Sequence, residues 1–163
     1  MGIIKLLLIS VVVLFLVITG ISSLLPSEIR VSRALDISAH PDTVMKALKE
    51  LSKWNKWNEF VKPVSDISIS GDSLLSPQLD VVIIPRAGRE LGSTWMQPGH
   101  PVLASVFSVY QTRGVTTIHW YFTCHFKWYP WEKLGSIVYD KQLGTPMEQS
   151  LQNLKKRLEP HAE

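Results

Sequence analysis

Cysteine is almost absent. Cys124 stands alone in 163 residues, so no disulfide forms within the chain and no cysteine-rich metal module is present. Charged side chains are also few, at 19%, and their formal balance at pH 7 is only +3. So little charge builds neither a polyelectrolyte tail nor a basic nucleic-acid surface, and nucleic acid is not an expected partner. The one cationic run, Lys155-Lys156-Arg157, falls near the end of an expected helix, where positive charge complements the dipole. No glycine-rich phosphate loop occurs. An apolar content of 45% argues against disorder, and the length suits one domain plus a membrane segment better than two cores.

The apolar residues are concentrated at the start. Ile3 to Leu25 contains a single charge, Lys5. A helix from Leu6 to Leu25 would be about 30 Å long, the thickness of bilayer hydrocarbon. The hydroxyls of Ser10, Thr19, Ser22 and Ser23 can return to the helix backbone in that setting. The segment reads as a transmembrane anchor over residues 1–26. A cleaved signal peptide is the competing reading: the most apolar stretch, Leu6 to Ile18, is short enough, but no small-x-small cleavage site follows cleanly. A buried terminal helix would need protein on every side. Lys5 precedes the span while Arg30 and Arg33 follow it, so flanking charge gives no clean orientation. The expectation is a single-pass membrane protein with a cytoplasmic N-terminus and an extracytoplasmic domain over residues 27–160, ending in a disordered tail at 161–163.

The domain opens with a period of two. Ile29, Val31, Leu35 and Ile37 alternate with Arg30, Ser32 and Asp36, a half-buried strand over Glu28–Ile37. Arg33 interrupts the apolar face, as a charge at a barrel mouth or as a buried pair member. Pro41 begins a short helix with Val44, Leu48 and Leu51 on one stripe. Trp54 and Trp57 follow three apart, sharing a helical face, and Asn58 suits a turn cap. Strands are then expected over Ser65–Ser70, Gln78–Ile84, Glu90–Met96, Val102–Tyr110 and Val115–Phe126, with antiparallel connections because the intervening turns are short. In the last strand Ile118, Trp120, Phe122, Cys124 and Phe126 face inward. Thr145-Pro146-Met147-Glu148 carries the start signals of a closing helix of about 15 residues. Met147, Leu151, Leu154 and Leu158 form its stripe, and Pro160 ends it. The order gives an α+β domain: a strongly curved antiparallel sheet around one long C-terminal helix.

Several segments together resemble the START-like, or SRPBCC, helix-grip superfamily, especially its polyketide cyclase/dehydrase and lipid-transport branch. They are EIRVSRALDISAHPDTV (28–44), WNKWNEF (54–60), TTIHWYF (116–122) and LGTPMEQSLQNLKKRLE (143–159). Ser150-Leu151 stands where that family often has Gly-Leu. The resemblance implies a helix-grip fold and a pocket for a hydrophobic ligand, without implying a reaction.

On this reading the ligand-facing set is Trp120, Phe122 and Phe126 from the last strand with Met147, Leu151 and Leu154 from the helix. Trp54 and Trp57 suit a pocket rim, an interfacial contact or packing of their short helix against the sheet, and Arg33, Tyr110 and Tyr121 are candidate polar groups. Each apolar member serves equally well as ordinary core. Metal binding is not expected: Cys124 and His125 point to opposite faces, and His119 and His125 lie roughly 20 Å apart along an extended strand. No nucleophile, base and orienting group are arranged for catalysis, and no cofactor is implied. The aromatic tract Cys124–Glu132, with Trp128, Tyr129 and Trp131, suits a membrane interface, a pocket lid or packing at the barrel end. The expected function is binding or transport of a hydrophobic small molecule or lipid by a domain tethered through its N-terminal helix. A cyclase- or aromatase-like enzyme and a chaperone-assisting interaction module are the alternatives.

Overall fold

The computed structural model describes residues 2–24, 28–125 and 130–159. Helix α1 (Gly2–Leu24) contains a 20-residue segment, Gly2–Ile21, long and apolar enough to cross a membrane, and no protein buries it. A helix walled in by the domain is therefore not what forms. The Thr19 hydroxyl has no partner among the described residues, so the expected return to the helix backbone is not made there.

Strand β1 (Glu28–Ile37) and helix α2 (Pro41–Lys49) start where the alternation and the proline place them. His40 caps α2, its Nδ1 accepting from the Asp42 N–H at 3.3 Å. A 3-10 turn over Leu51–Lys56 carries Trp54. The remaining strands are β2 (Ser68–Ser70), β3 (Ser73–Leu75), β4 (Asp80–Pro85), β5 (Glu90–Met96), β6 (Leu103–Thr112) and β7 (Val115–His125). All pair antiparallel in one seven-stranded curved sheet ordered β1-β7-β6-β5-β4-β3-β2. The strand expected at Ser65–Ser70 is present over Ser68–Ser70, as β2, and pairs with the unforeseen β3 in a small hairpin turned at Gly71 with φ of +56°. Three-residue strands show no alternation to read, so β3 goes unnoticed in sequence. Arg113-Gly114 joins β6 to β7, both residues at positive φ (52° and 85°), the two-residue turn whose twist matches a hairpin.

Helix α3 corrects an expectation. It runs from Pro130 to Leu158, 29 residues and about 44 Å, with Pro146 inside it. The cap signals at Thr145-Pro146-Glu148 are locally valid and globally unused. An interior proline removes one backbone bond, and the helix nonetheless continues through it. The expected stop at Pro160 and the tail at 161–163 lie outside the described residues.

The inner sheet face and α3 enclose the core. The register places Val31 beside Phe122, Phe107 beside Trp120 and Leu91 beside Phe107. Ile118, Trp120, Phe122 and Cys124 are all buried, as their alternation requires, and Met147, Leu151 and Leu154 meet them from α3.

Candidate functional site

The core between sheet and helix is predominantly aromatic. Phe107 and Trp120, cross-strand partners, stack at 4.6 Å with planes 21° apart. Trp54 sits 5.4 Å from Trp57 and 5.7 Å from Trp95, ring centre to ring centre. Phe60 meets Trp95, Trp120 and Phe122 edge-on at 5.7–5.9 Å. These offset and edge-to-face arrangements are the favoured ones for aromatic pairs. Trp54, Trp57, Trp120 and Phe107 are essentially inaccessible, so around them the core is filled.

Two serines satisfy the indoles. Ser93 and Ser105 oppose each other on β5 and β6, their hydroxyls 2.8 Å apart. Trp95 Nε1 donates to both, at 2.9 and 3.1 Å, and Trp120 Nε1 donates to Ser105 at 3.2 Å. Trp54 Nε1 donates to the Leu48 carbonyl at 2.9 Å. Trp57 Nε1 has no partner among the described residues.

α3 also fixes the segment that carries these rings. The Ser150 hydroxyl accepts from the Glu59 N–H at 2.8 Å and donates to the Pro146 carbonyl at 2.6 Å. Asn153 Nδ2 donates to Glu59 Oε1 at 2.6 Å and to the Trp57 carbonyl at 3.3 Å. Glu59 is further paired with Lys62, and these bonds, led by that from Lys62, hold its carboxyl below the usual range. Asn58 Oδ1 accepts from the Phe60 N–H, the turn cap its position suggested.

The packing opens at one end. A half-open cleft of about 150 Å³ lies where β5, β6 and β7 meet α3. Phe60, Leu79, Trp95, Leu103, Phe122 and Leu143 form its apolar walls. Gln97, His100 and Pro101, from the β5–β6 connection, and Gln142 from α3 make its more polar edge. Among these described lining residues His100 is the only titratable side chain. No group of three or more His, Cys, Asp or Glu among the described residues can hold a metal ion.

Of the residues singled out from sequence, Phe122 lines the cleft. Trp54, Trp57, Trp120, Met147, Leu151 and Leu154 pack in the closed core instead. Phe126 lies outside the described residues, as do Trp128 and Tyr129 and the side chain of Trp131. Tyr110 corrects an expectation: paired with Thr117 on the outer sheet face, it is 53% exposed and turned from the core. Tyr121 is on that outer face too, its ring 3.4 Å beneath the Arg30 guanidinium. Arg33 does project from the inner face, opposite Trp120, and is only partly covered. Its guanidinium reaches Asp140 on α3 at 3.3 Å and lies so close to Gly144 that a Cβ there would fall 2.0 Å from Nη2. It is thus a half-exposed pair at the helix–sheet seam. The alternation of ELGSTWM could have nominated Trp95, and Phe60 closes a segment already quoted; Leu79, Leu103, Gln97, His100 and Gln142 carry no local signal.

One long helix gripped by a strongly curved antiparallel sheet, with a shorter helical pair between the first two strands, is the START-like helix-grip fold. A START superfamily protein from Mycobacterium smegmatis superposes with a TM-score of 0.57 at 15% identity, over 79% of this chain and 96% of its own. Truncated norcoclaurine synthase from Thalictrum flavum gives 0.60 at 13%, over 82% and 95%. CalU16 from Micromonospora echinospora gives 0.58 at 14%, over 82% and 77%. These likenesses are of fold. No family model and no curated protein matches the chain by sequence.

Proposed function

We propose that this chain binds an apolar small molecule in the cleft between sheet and α3, without acting on it chemically, while α1 tethers the domain to a membrane. The observation that carries the reading is the opening itself: in a core otherwise packed ring against ring, six apolar side chains leave about 150 Å³ unfilled beside a partly polar edge. A ring entering it would bury about 200 Å². At 25 cal/mol per Å² that contributes about 5 kcal/mol before the cost of association, enough for reversible exchange with a membrane reservoir. α1 supports the tether by its length, its apolar composition and its freedom from protein cover. A guest dissolved in lipid would then meet the cleft at high local concentration.

The full chain, extracted in mild detergent and examined by native mass spectrometry, should carry an adduct of small mass that heat or organic solvent releases. A chain that arrives empty and takes up nothing from a panel of aromatic, aliphatic and lipid compounds would end the proposal. The tether has its own test. Intact mass should retain residues 1–26 and carbonate should not strip the protein from membranes, whereas a mature chain lacking them would mark the segment as a cleaved signal.

A further inference from the structure

The cleft lies at one rim of the sheet. Leu79 immediately precedes β4, Gln97, His100 and Pro101 belong to the β5–β6 connection, Leu103 begins β6, and Phe122 is near the end of β7. The chain leaves α1 at the same rim. The register sets Glu28, the first residue of β1, beside His125, the last of β7, and Ala104, near the start of β6, beside Thr123. Three residues separate Leu24, the last of α1, from Glu28, so those two lie no more than about 14 Å apart. The end of the apolar helix and the lining of the cleft thus share one end of the domain.

The turns at this rim differ from those opposite. Neither Ser76–Leu79 nor Gln97–Val102 contains Lys, Arg, Asp or Glu. Pro77, Pro98, Pro101 and Val102 are exposed there, Val102 to 60%. At the far rim the β4–β5 turn exposes Arg86 and Arg89, and the β6–β7 turn exposes Arg113. Ionised side chains are costly against hydrocarbon, whereas prolines and a valine gain by leaving water. The rim without charged turns is the one beside the end of α1. We propose that this rim lies on the membrane that α1 spans, so that the cleft opens onto lipid rather than water. The proposal rests on the tether described above and gives the domain an orientation that a tether alone does not. A guest then passes between lipid and cleft without crossing water.

In a Cys124→Ala background, Pro98→Cys and Val102→Cys would each carry a fluorophore at the near rim and Thr112→Cys one at the far rim. The full chain would be reconstituted in phosphatidylcholine nanodiscs with and without a nitroxide-bearing lipid. All three labelled positions are exposed, so the fold tolerates the changes. Strand β6, Leu103–Thr112, is about 30 Å long, so a quencher confined to lipid cannot reach both of its ends. The labels at positions 98 and 102 should lose most of their emission, and the label at position 112 should keep its own. Quenching at position 112 as strong as at the near rim would show a domain that tumbles on its tether. Quenching at neither rim would leave the uncharged turns to a protein partner. Either result overturns the membrane docking while the tether stands, and a chain that does not co-elute with the nanodiscs overturns both.

Discussion

Ser105 and Ser93 look interchangeable in sequence and even in register, yet removing them should have unequal consequences. Ser105 is the acceptor for Trp120 Nε1 and the farther of two acceptors for Trp95 Nε1. Of the two indoles Ser93 serves only Trp95, which keeps Ser105 when Ser93 is lost. All four residues are buried, so a stranded indole N–H finds no water. Ser105→Ala should therefore cost about 2–3 kcal/mol, combining the lost serine pair with one unsatisfied buried donor. Ser93→Ala should cost about 1 kcal/mol, the net worth of ordinary hydrogen bonds. Urea unfolding of the full chain in detergent, followed by tryptophan fluorescence, gives both values. A double-mutant cycle isolates the cause: in a Trp120→Phe background the Ser105→Ala penalty should drop by about 1–2 kcal/mol. Equal penalties for the two serines, or a Ser105→Ala cost that ignores residue 120, would refute the reasoning.

Gly144→Ala gains about 1 kcal/mol of helix propensity but drives its Cβ into the Arg33 guanidinium. The half-exposed Arg33–Asp140 pair is worth at most about 1 kcal/mol, so the native background should show little net change and an Arg33→Ala background should show the full gain by the same unfolding assay. Burial raises the Cys124 thiol pKa, so folded protein should react with a thiol reagent far more slowly than urea-unfolded protein, with equal rates contradicting its inward placement. The Ser38 N–H, bonded to Glu159 Oε1 at 2.8 Å, and neighbouring Lys155 hold the Glu159 carboxyl below its ordinary value. A depressed folded value means stabilisation that is present above the unfolded value and lost as pH falls through the folded one, so Glu159→Gln should flatten the stability curve below about pH 4.5 and leave its shape near pH 7 unchanged.

What the sequence made legible follows the range of the forces involved. Strand β1, the start of α2, β5 and the inward set on β7 are written in local alternation and in single proline positions, and they form where those patterns place them. The same local grammar misplaced the start of α3, because the capping signals around Pro146 describe a helix that begins there and say nothing of the helical residues before it. The aromatic residues were recognisable, but their division between closed core and cleft was not. Trp120 and Phe122 are two positions apart on one strand face, and only distant Leu79, Leu103 and Leu143 decide which of them borders empty space. Tyr110 shows a further limit: the parity of a strand is fixed by its neighbours' register, which its own hydroxyl does not reveal.

The pairing of β1 with β7 has a temporal side. Glu28 lies against His125 and Ile37 against Thr116, so the first strand leaving the ribosome finds its partner only after most of the chain has been made. Until then its pairing edge and apolar face are open, and α3, which packs against β1, arrives later still. Contacts so distant in sequence make for slow folding, and the nascent chain spends that interval as a sticky half-sheet. Chaperone demand during synthesis should thus be set by the length between residues 38 and 115, and a circular permutant that brings β1 directly beside β7 in sequence would shorten the wait.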